Sequence, residues 1–346
     1  MATKKLPAMY KKLVAVKLTQ KFREAAKLVS AELQPPAPNE VVIKNRYLGI
    51  NASDINMTAG RYFTSSQPPF DLGFEGVGEV VMKGDQCDDI KIGQPVAYMN
   101  FGAFADFVTI NKHHAIPVTA AKPEVIPCLV SGLTAAISLD KVGEIKPDDK
   151  VLVTAAAGGT GQFAVQWAKK SGCHVIGTCS TDEKVDLLKR LGCDRPINTS
   201  KENLRDIMKG EYSSGVNVVY ESVGGDVFDT CVDSLANKGK VIVIGYVKGY
   251  EMDAGFAKTK TATLPPKLLA KSASIRGFML FQFTEHYKEY LGKLFQSEAD
   301  GSIKALVDNG VNHSKGPFKG LASITDAVEY LYTRKSRGKI YVELPE

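Results

Sequence analysis

The chain has 346 residues, of which 44% are hydrophobic and 24% charged, and its formal net charge is +6. This composition is ordinary for a soluble enzyme, and the length is enough for about two domains with large buried cores. The positive charge is spread without a basic block, so nucleic-acid binding is not expected. No apolar run approaches the ~20 residues that would span a bilayer.

The termini and the cysteines favour a reducing compartment. Residues 1–7 contain no apolar h-region, and we therefore expect no signal peptide. The final residues form no peroxisomal or endoplasmic-reticulum signal. The six cysteines make neither a Cys-x-x-Cys pair nor a cluster with His, so reduced thiols are expected. A cytoplasmic location is the resulting expectation, with a peroxisomal one left open.

The first third of the chain predicts a β-rich domain. Between Lys12 and about Leu129, runs of β-branched and aromatic residues are separated by Pro-rich breaks at residues 34–38 and 67–69. The predicted strands are Lys12–Lys17, Glu40–Asn51, Gly76–Val81, Pro95–Tyr98 and Phe104–Ile110.

The middle of the chain, from about Thr134 to Phe281, alternates strand and helix patterns and predicts a parallel, doubly wound sheet. Its predicted strands are residues 151–155, 174–179, 216–221, 239–245 and 274–280. The tail adds a predicted helix at Ile324–Tyr332 and a strand at Gly338–Leu344. We therefore expect an α/β fold in which residues 1–133 and 282–346 form one domain and residues 134–281 form the other.

A small-residue turn in the second domain predicts a dinucleotide site. The apolar run Val151–Val153 leads through a turn containing Gly158 and Gly161 into a helix. Such a turn lets the backbone approach a pyrophosphate at the helix N-terminus. The strict G-x-G-x-x-G pattern fails, because Ala156 stands at its first position. The alternative is a βα turn that binds nothing.

The next strand end predicts which dinucleotide is preferred. NAD sites usually place an acid there for the ribose hydroxyls, whereas this chain has Cys179, Ser180 and Thr181, with Lys184 one turn later. Hydroxyl donors and a cation suit a ribose 2′-phosphate, and this predicts NADPH over NADH. Alternatively, Ser180 is a helix N-cap and Lys184 a solvated lysine.

Several motifs together resemble the medium-chain dehydrogenase/reductase superfamily, over essentially the whole chain. Within it, the chain is similar to the zinc-independent quinone oxidoreductase and prostaglandin reductase branch. The motifs are residues 51–62 (Asn-Ala-Ser-Asp onward), 73–79 (Gly-Phe-Glu-Gly onward), 155–161, 197–200, 220–225 (Tyr-Glu-Ser-Val-Gly-Gly) and 338–340. The resemblance implies a GroES-like β-rich catalytic domain and a Rossmann cofactor domain.

The resemblance also implies the activity, which is reduction of a carbon–carbon double bond conjugated to a carbonyl, with hydride supplied by NADPH. Donors aimed at the developing enolate oxygen are expected from Tyr62, Tyr250 and Asn51. Alternatively, each of these three residues has only a local structural role. The implied cofactor contacts are Thr134, Gly158, Gly159, Thr160, Gly161, Gln162, Ser180, Lys184, Thr199, Ser222, Ile244, Tyr250, Phe278, Met279, Leu280 and Ser336.

Two of these positions depart from the family pattern. Thr199 stands where relatives often have Tyr, and Ser336 where they often have Asn. Zinc is not expected, because Asn51 and Phe74 replace the Cys and His that bind it in metal-bearing relatives, and Cys87 is alone in its region.

The substrate class stays open between an enone, a quinone and an oxidised lipid. The long segment Gly249–Leu264 could be a substrate lid, and its Lys258 and Lys260 could attract a carboxylate or simply be solvated. The alternatives to an enone reductase are an NADPH-dependent quinone reductase and a weakly active NADPH- or RNA-binding protein. A homodimer is expected.

Overall fold

The computed structural model describes residues 6–62 and 67–345. The segment for which no signal peptide is expected therefore lies largely outside the described residues. The described chain divides into two compact units. The first comprises the residues up to Leu129 and from Val307 onward, and the second comprises Val130–Leu306.

The strands and helices are numbered here in chain order. Strands β1 to β16 are Met9–Ala15, Ala26–Glu32, Glu40–Gly49, Phe70–Asp71, Glu75–Lys83, Pro95–Met99, Phe107–Asn111, Ile116–Pro117, Lys150–Val153, His174–Cys179, Arg195–Asn198, Val216–Glu221, Leu235–Val243, Ser274–Gly277, Val307–Asp308 and Lys339–Glu343. Helices α1 to α11 are Phe22–Ala25, Asp54–Thr58, Val125–Pro127, Leu133–Ile137, Gly161–Lys170, Asp182–Arg190, Leu204–Glu211, Asp226–Asp233, Leu264–Lys271, Tyr287–Ala299 and Ile324–Tyr332.

The first unit contains two sheets. A three-stranded sheet has the order β2-β1-β4, and a larger curled sheet has the order β15-β16-β3-β5-β6-β8, with β7 also paired to β3. The strand pairs around β3 are antiparallel, and the inward side chains Val41, Ile43 and Val80 are fully buried. This is the β-rich domain that the sequence predicts.

The second unit is built on a six-stranded parallel sheet with the order β11-β10-β9-β12-β13-β14. Central strands of such a sheet are covered on both faces and read as continuous apolar runs. Leu152, Ile176 and Val219 accordingly have no exposed surface. The predicted fold class, a β-rich domain and a doubly wound parallel sheet, is confirmed.

Three details differ from the predictions. Strand β2 was not predicted, and neither was β11, whose Pro196 argues against a strand. Proline is tolerated in β11 because that strand lies at the sheet edge and pairs only with β10. The predicted strand 274–280 ends at Gly277, after which Phe278 donates its backbone N–H to Val243.

The boundary near residue 282 also differs, because residues 282–306 belong to the second unit. The cause is α10, whose Tyr290 hydroxyl donates to Asp140 at 3.0 Å, while Lys170 donates to Ser297 at 2.7 Å. These contacts hold α10 to helices of the second unit.

The helical stretch Val125–Gly143, which is kinked at Leu129, is long and apolar enough to cross a membrane by length and composition alone. Within the described chain it is 83% buried over its most apolar window, which is the pattern of an interior helix.

Candidate active site

The turn between β9 and α5 has the backbone geometry of a phosphate-binding loop. Ala155 adopts a left-handed conformation, with φ of 47°, and its carbonyl oxygen accepts the N–H of Gly158 at 3.0 Å. Thr178 holds the start of the turn by accepting the N–H of Ala155 at its hydroxyl and that of Ala156 at its carbonyl. The turn therefore delivers the chain to the N-terminus of α5, where unpaired N–H groups favour an anion.

Gly161 is required for the close packing of this turn. A Cβ at position 161 would lie 2.4 Å from the Ala155 carbonyl oxygen and 2.7 Å from the Ala156 Cα. These contacts involve backbone atoms and cannot be relieved by a side-chain movement. This close approach of helix to strand is the role of the last glycine in a dinucleotide fingerprint. The sequence departs from that fingerprint at Ala156, yet the turn retains its geometry.

The carboxyl ends of β9 and β12 define the crevice of the parallel sheet. The strand order reverses between these neighbours, and ligands bind at such a switch point. Thr154 follows β9 and Ser222 follows β12, and the Ser222 N–H donates to the Thr154 hydroxyl at 2.9 Å. Ser222, predicted to contact the cofactor, therefore lies at the crevice, joined to the residue that follows β9.

The region after β10 has the hydroxyl groups that the sequence predicts. Thr181, not Ser180, is the N-cap of α6, and its hydroxyl accepts the Lys184 N–H. The alternative reading of Ser180 as a cap is therefore wrong. Thr199 lies on the neighbouring strand end, where its hydroxyl donates to the Cys179 carbonyl at 3.0 Å. Lys184 is buried rather than a solvated helix lysine.

Asp182, the first residue of α6, has its negative charge paired with neighbouring donors. Asp182 accepts hydrogen bonds from Lys201 at 2.5 Å and from Asn198 at 2.8 Å. The hydrogen bond with Lys201 is the largest effect holding the pKa of Asp182 below its usual value, followed by that with Asn198. Because the carboxylate is already paired, Asp182 does not present an unpaired negative charge to an incoming phosphate.

The other predicted cofactor residues lie in different places. Gln162 is fully buried, and its amide exchanges hydrogen bonds with the backbone of Leu306, so its side chain has a structural role. Most of the remaining predicted contacts in the second unit are buried or half-buried, and Met279 is exposed. The buried and half-buried residues are Thr134, Gly159, Thr160, Ile244, Tyr250, Phe278 and Leu280. Ser336 belongs to the first unit and is buried there.

The first unit contains a buried polar cluster centred on Asn51. Its Oδ1 accepts a hydrogen bond from Lys339 Nζ at 2.7 Å, and its Nδ2 donates to Glu75 Oε1 at 2.9 Å. An ammonium can only donate and a carboxylate can only accept, so these partners define which end of the amide is nitrogen. Lys339 Nζ also lies 2.5 Å from Glu75 Oε1. The cluster consequently holds Asn51 in one orientation.

Asp54 completes the cluster from α2. Its Oδ2 accepts the Asn51 N–H at 2.8 Å, whereas Oδ1 is buried with no hydrogen-bond partner among the described residues. Burial raises the pKa of Asp54 to about 8, despite the opposing effects of the Asn51 amide and the Lys339 charge. At neutral pH Asp54 is therefore mainly a neutral acid, which leaves Lys339 and Glu75 as a balanced pair of charges.

The two candidate catalytic tyrosines differ in their surroundings. The Tyr62 hydroxyl is within 3.4 Å of Asn56 Nδ2, which donates to it, and the ring is half-buried. Tyr250 is buried and packs edge-to-face against Tyr246, with ring centroids 4.9 Å apart. A Cβ added at Gly245 would lie 2.8 Å from the Tyr250 hydroxyl, so this glycine makes room for the tyrosine.

The residues at the position where metal-bearing relatives bind zinc do not fit a zinc ion. Asn51 and Phe74 supply neither thiolate nor imidazole, and the Asn51 oxygen already accepts from the Lys339 ammonium. A buried ammonium beside Glu75 would repel a divalent cation. No group of three or more His, Cys, Asp or Glu residues with metal-binding geometry occurs in the described ranges.

Sequence reasoning assigned no role to Lys339, Glu75 or Asp54. The sequence feature that could have indicated a buried charge was a charged residue within an otherwise apolar strand pattern, such as Lys339 before Ile340. Buried charges require a partner, but the sequence does not say which residue that partner is.

These features define a two-domain protein with a dinucleotide-type sheet and a buried polar cluster in its β-rich unit. Residues 37–124 match the alcohol dehydrogenase GroES-like domain and residues 159–297 match the zinc-binding dehydrogenase family. Prostaglandin reductase-3 of Mus musculus is 49% identical over 98% of this chain and 91% of its own length. A probable quinone oxidoreductase of Leishmania amazonensis is 42% identical, covering 98% and 99% respectively.

Among solved structures, Escherichia coli quinone oxidoreductase complexed with NADPH superposes with a TM-score of 0.83. It shows 29% identity over 96% of this chain and 99% of that one. The chain belongs to the medium-chain dehydrogenase/reductase superfamily. Its similarity to prostaglandin reductase-3 confirms the branch predicted from the motifs, and its second unit is an NAD(P)-type cofactor domain.

Proposed function

We propose that this oxidoreductase uses NADPH to reduce the carbon–carbon double bond of α,β-unsaturated ketones, in the manner of a 15-oxo-prostaglandin 13-reductase. The identity to prostaglandin reductase-3 supports this substrate class. The structural observation that carries the proposal is the oriented amide of Asn51. When bound, NADPH supplies the hydride that the reduction requires.

Asn51 is suited to stabilise negative charge on a carbonyl oxygen. Its Nδ2 has two hydrogens, and Glu75 accepts one of them. Because Lys339 holds the amide oxygen, the second hydrogen has a defined direction. A donor held in advance costs no reorganisation as charge develops, which is the basis of oxyanion stabilisation. Tyr62 is a second candidate donor from the same unit, and Tyr250 a candidate from the cofactor unit.

NADPH rather than NADH is supported by the strand ends of the second unit. Ser180 does not cap α6, since Thr181 does. Lys184 lies in the first turn of α6, and Thr199 follows the neighbouring strand β11. Asp182 is paired with Lys201 and Asn198. The Ser180 hydroxyl and the Lys184 ammonium would hold the 2′-phosphate, whereas the Thr199 hydroxyl already donates its one hydrogen to the Cys179 carbonyl. The turn containing Gly158 and Gly161 would hold the pyrophosphate.

The proposed reaction is independent of zinc. The Lys339 ammonium and the Asn51 amide supply the positive charge and the donor in the first unit. Metal analysis of the purified protein is expected to give far less than one zinc per chain, and chelators should leave turnover unchanged. A stoichiometric zinc that is needed for turnover would disprove this part of the proposal.

A quinone reductase is the second candidate, because relatives with that name match nearly the whole chain. The test is a panel of enones and quinones, with NADPH and NADH consumption followed for each. NADPH deuterated at the transferred position should give a saturated ketone labelled at its β-carbon. Quinone turnover without any enone turnover would favour the alternative, and AU-rich RNA binding without turnover would favour a binding protein.

A further inference from the structure

Glu221, the last residue of β12, is a buried acid to which the proposed reaction assigns no role. Glu221 has no exposed surface, and its Oε1 accepts the N–H groups of Val223 at 2.8 Å and Gly224 at 2.9 Å. No lysine, arginine or histidine forms an ion pair with it within the described chain. The charge of this carboxylate is therefore compensated by the backbone of the following turn.

That turn, residues 222–225, depends on two glycines in the left-handed region. Gly224 has φ of 81° and Gly225 has φ of 61°. A Cβ at Gly224 would lie 3.0 Å from the Tyr246 Cβ. The turn thus packs directly against residues 244–250, which we name the Tyr250 segment.

Three backbone hydrogen bonds join the Tyr250 segment to Glu221 and its turn. Ile244 donates to the Glu221 carbonyl at 2.7 Å. Val247 donates to the carbonyl of residue 222 and Lys248 to that of residue 223, each at 3.0 Å. Lys248 also pairs with Asp226, the first residue of α8. The 222–225 turn is therefore hydrogen-bonded to the segment that carries Tyr250.

We propose that Glu221 is a positioning residue, whose carboxylate holds the Tyr250 segment in place through the 222–225 turn, and whose protonation loosens that hold. The functional consequence rests on the proposed function, because Ser222, Ile244 and Tyr250 are proposed cofactor contacts. A charged acceptor makes hydrogen bonds roughly twice as strong as a neutral one. The Gly224 and Val223 N–H groups lower the pKa of Glu221, so an opening that breaks these two bonds while the side chain stays buried raises that pKa and is favoured by protonation. In this local opening, unlike in global unfolding, protonated Glu221 would therefore hold Val223 and Gly224 less firmly.

The pKa of Glu221 lies near neutral pH, so its charge changes between pH 6 and pH 8. Burial raises the pKa of Glu221 to about 7, against the lowering effects of the Gly224 and Val223 N–H groups and the Thr154 hydroxyl. From α8 the Cys231 thiol faces it, and burial keeps the pKa of that thiol well above its usual value, so it stays neutral. Among the described residues, β9, β13 and residues 138–143 place no charge that shifts its pKa. The Lys248–Asp226 pair flanks the turn.

The direct test is amide hydrogen exchange of the cofactor-free, full-length protein at pH 6 and pH 8, corrected for intrinsic exchange rates. Protection of residues 223–224 and 247–248 should be about threefold or more greater at pH 8, while β9 serves as the internal reference. Glu221→Gln should lose this pH dependence. Glu251→Gln, an exposed glutamate next to Tyr250, should keep it. Equal protection at both pH values in the wild-type protein would overturn the proposal.

The functional part is tested by the Kd of NADPH for wild type and Glu221→Gln at the same two pH values. The ratio of the two Kd values should change about threefold or more between pH 6 and pH 8. Taking this ratio cancels the titration of the cofactor phosphate. If amide exchange depends on pH but the ratio of the two Kd values does not, Glu221 does not influence cofactor binding. If neither protein binds NADPH, the proposed function fails while the exchange result stands on its own.

Discussion

Lys339 and Glu75 form a buried ion pair that crosses a strand. Lys339 begins β16 and Glu75 begins β5, and β3 lies between these two strands in the sheet. The pair can meet because β3 ends at Gly49, where a Cβ would lie 2.4 Å from Glu75 Oε1. A glycine in the middle strand therefore allows two buried charges to join and to orient Asn51.

Breaking this ion pair should strongly destabilise the fold. In Lys339→Met, the buried carboxylate of Glu75 keeps its hydrogen bond from Asn51 but loses the cation beside it, which costs about 3–5 kcal/mol. Urea unfolding measures the loss. The double variant Lys339→Met with Glu75→Gln should recover much of it, since no unpaired charge remains. Equal stability of the single and double variants would show that the charge of Glu75 is not the cause.

Removing the Asn51 amide should slow catalysis without weakening cofactor binding. Asn51→Ala deletes the proposed oxyanion donor, and the expected fall in kcat is roughly a hundredfold. The Kd of NADPH should stay the same, because the proposed phosphate contacts belong to the other unit. The exposed Asn39→Ala is the control in the same unit. A wild-type kcat in Asn51→Ala would remove Asn51 from the mechanism.

The tyrosine hydroxyls should contribute less than a full oxyanion donor. Tyr62→Phe or Tyr250→Phe keeps the ring, and whichever hydroxyl donates should show a fall of ~tenfold in both kcat and kcat/KM on the best enone. We expect this smaller effect because other donors share the task. If both single variants and the double variant retain wild-type kcat, neither tyrosine acts as a donor.

Lys184 should discriminate between the two cofactors. Lys184→Ala would remove the proposed charge-assisted contact with the 2′-phosphate, worth roughly 1.5–3 kcal/mol, or about ten- to a hundredfold in Kd for NADPH. NADH lacks that phosphate, so its affinity should barely change. Lys189→Ala, an exposed lysine on the same helix, is the control. Similar losses for both cofactors would mean that Lys184 supports the fold rather than the phosphate.

The buried Asp54 should make stability depend on pH. Its pKa is about 8 in the folded protein against a usual value of 3.8, so the folded state retains a proton that the unfolded chain releases. This contribution is complete below about pH 4 and is lost as the pH rises through 8. Asp54→Asn is neutral throughout and keeps an acceptor for the Asn51 N–H.

Unfolding at pH 6 and pH 9 measures this effect. Relative to Asp54→Asn, the wild-type protein should lose on the order of 2 kcal/mol between these pH values. The exposed Asp85→Asn should follow the wild type. Parallel pH profiles of wild type and Asp54→Asn would show that Asp54 is ionised in the folded protein at both pH values.

Local patterns in the sequence were sufficient to predict the parallel sheet and the small-residue turn between β9 and α5. β9, β10 and β12 are covered on both faces, and this burial requires the continuous apolar runs by which they were predicted. The turn between β9 and α5 could be predicted because the close approach of α5 to the strand permits only glycine at position 161. The edge strand β11 escaped prediction because it tolerates a proline that a central strand would not.

Only the tertiary structure decided where the chain divides and which polar residues meet. Helix α10 joins the cofactor unit through Tyr290 and Asp140, which are 150 positions apart. Lys339 and Asn51 are 288 positions apart, and their contact requires β16, β3 and β5 to be aligned in one sheet. Periodicity reports which face of an element is buried, whereas the partner of a buried charge depends on strand order and register, which local sequence does not encode.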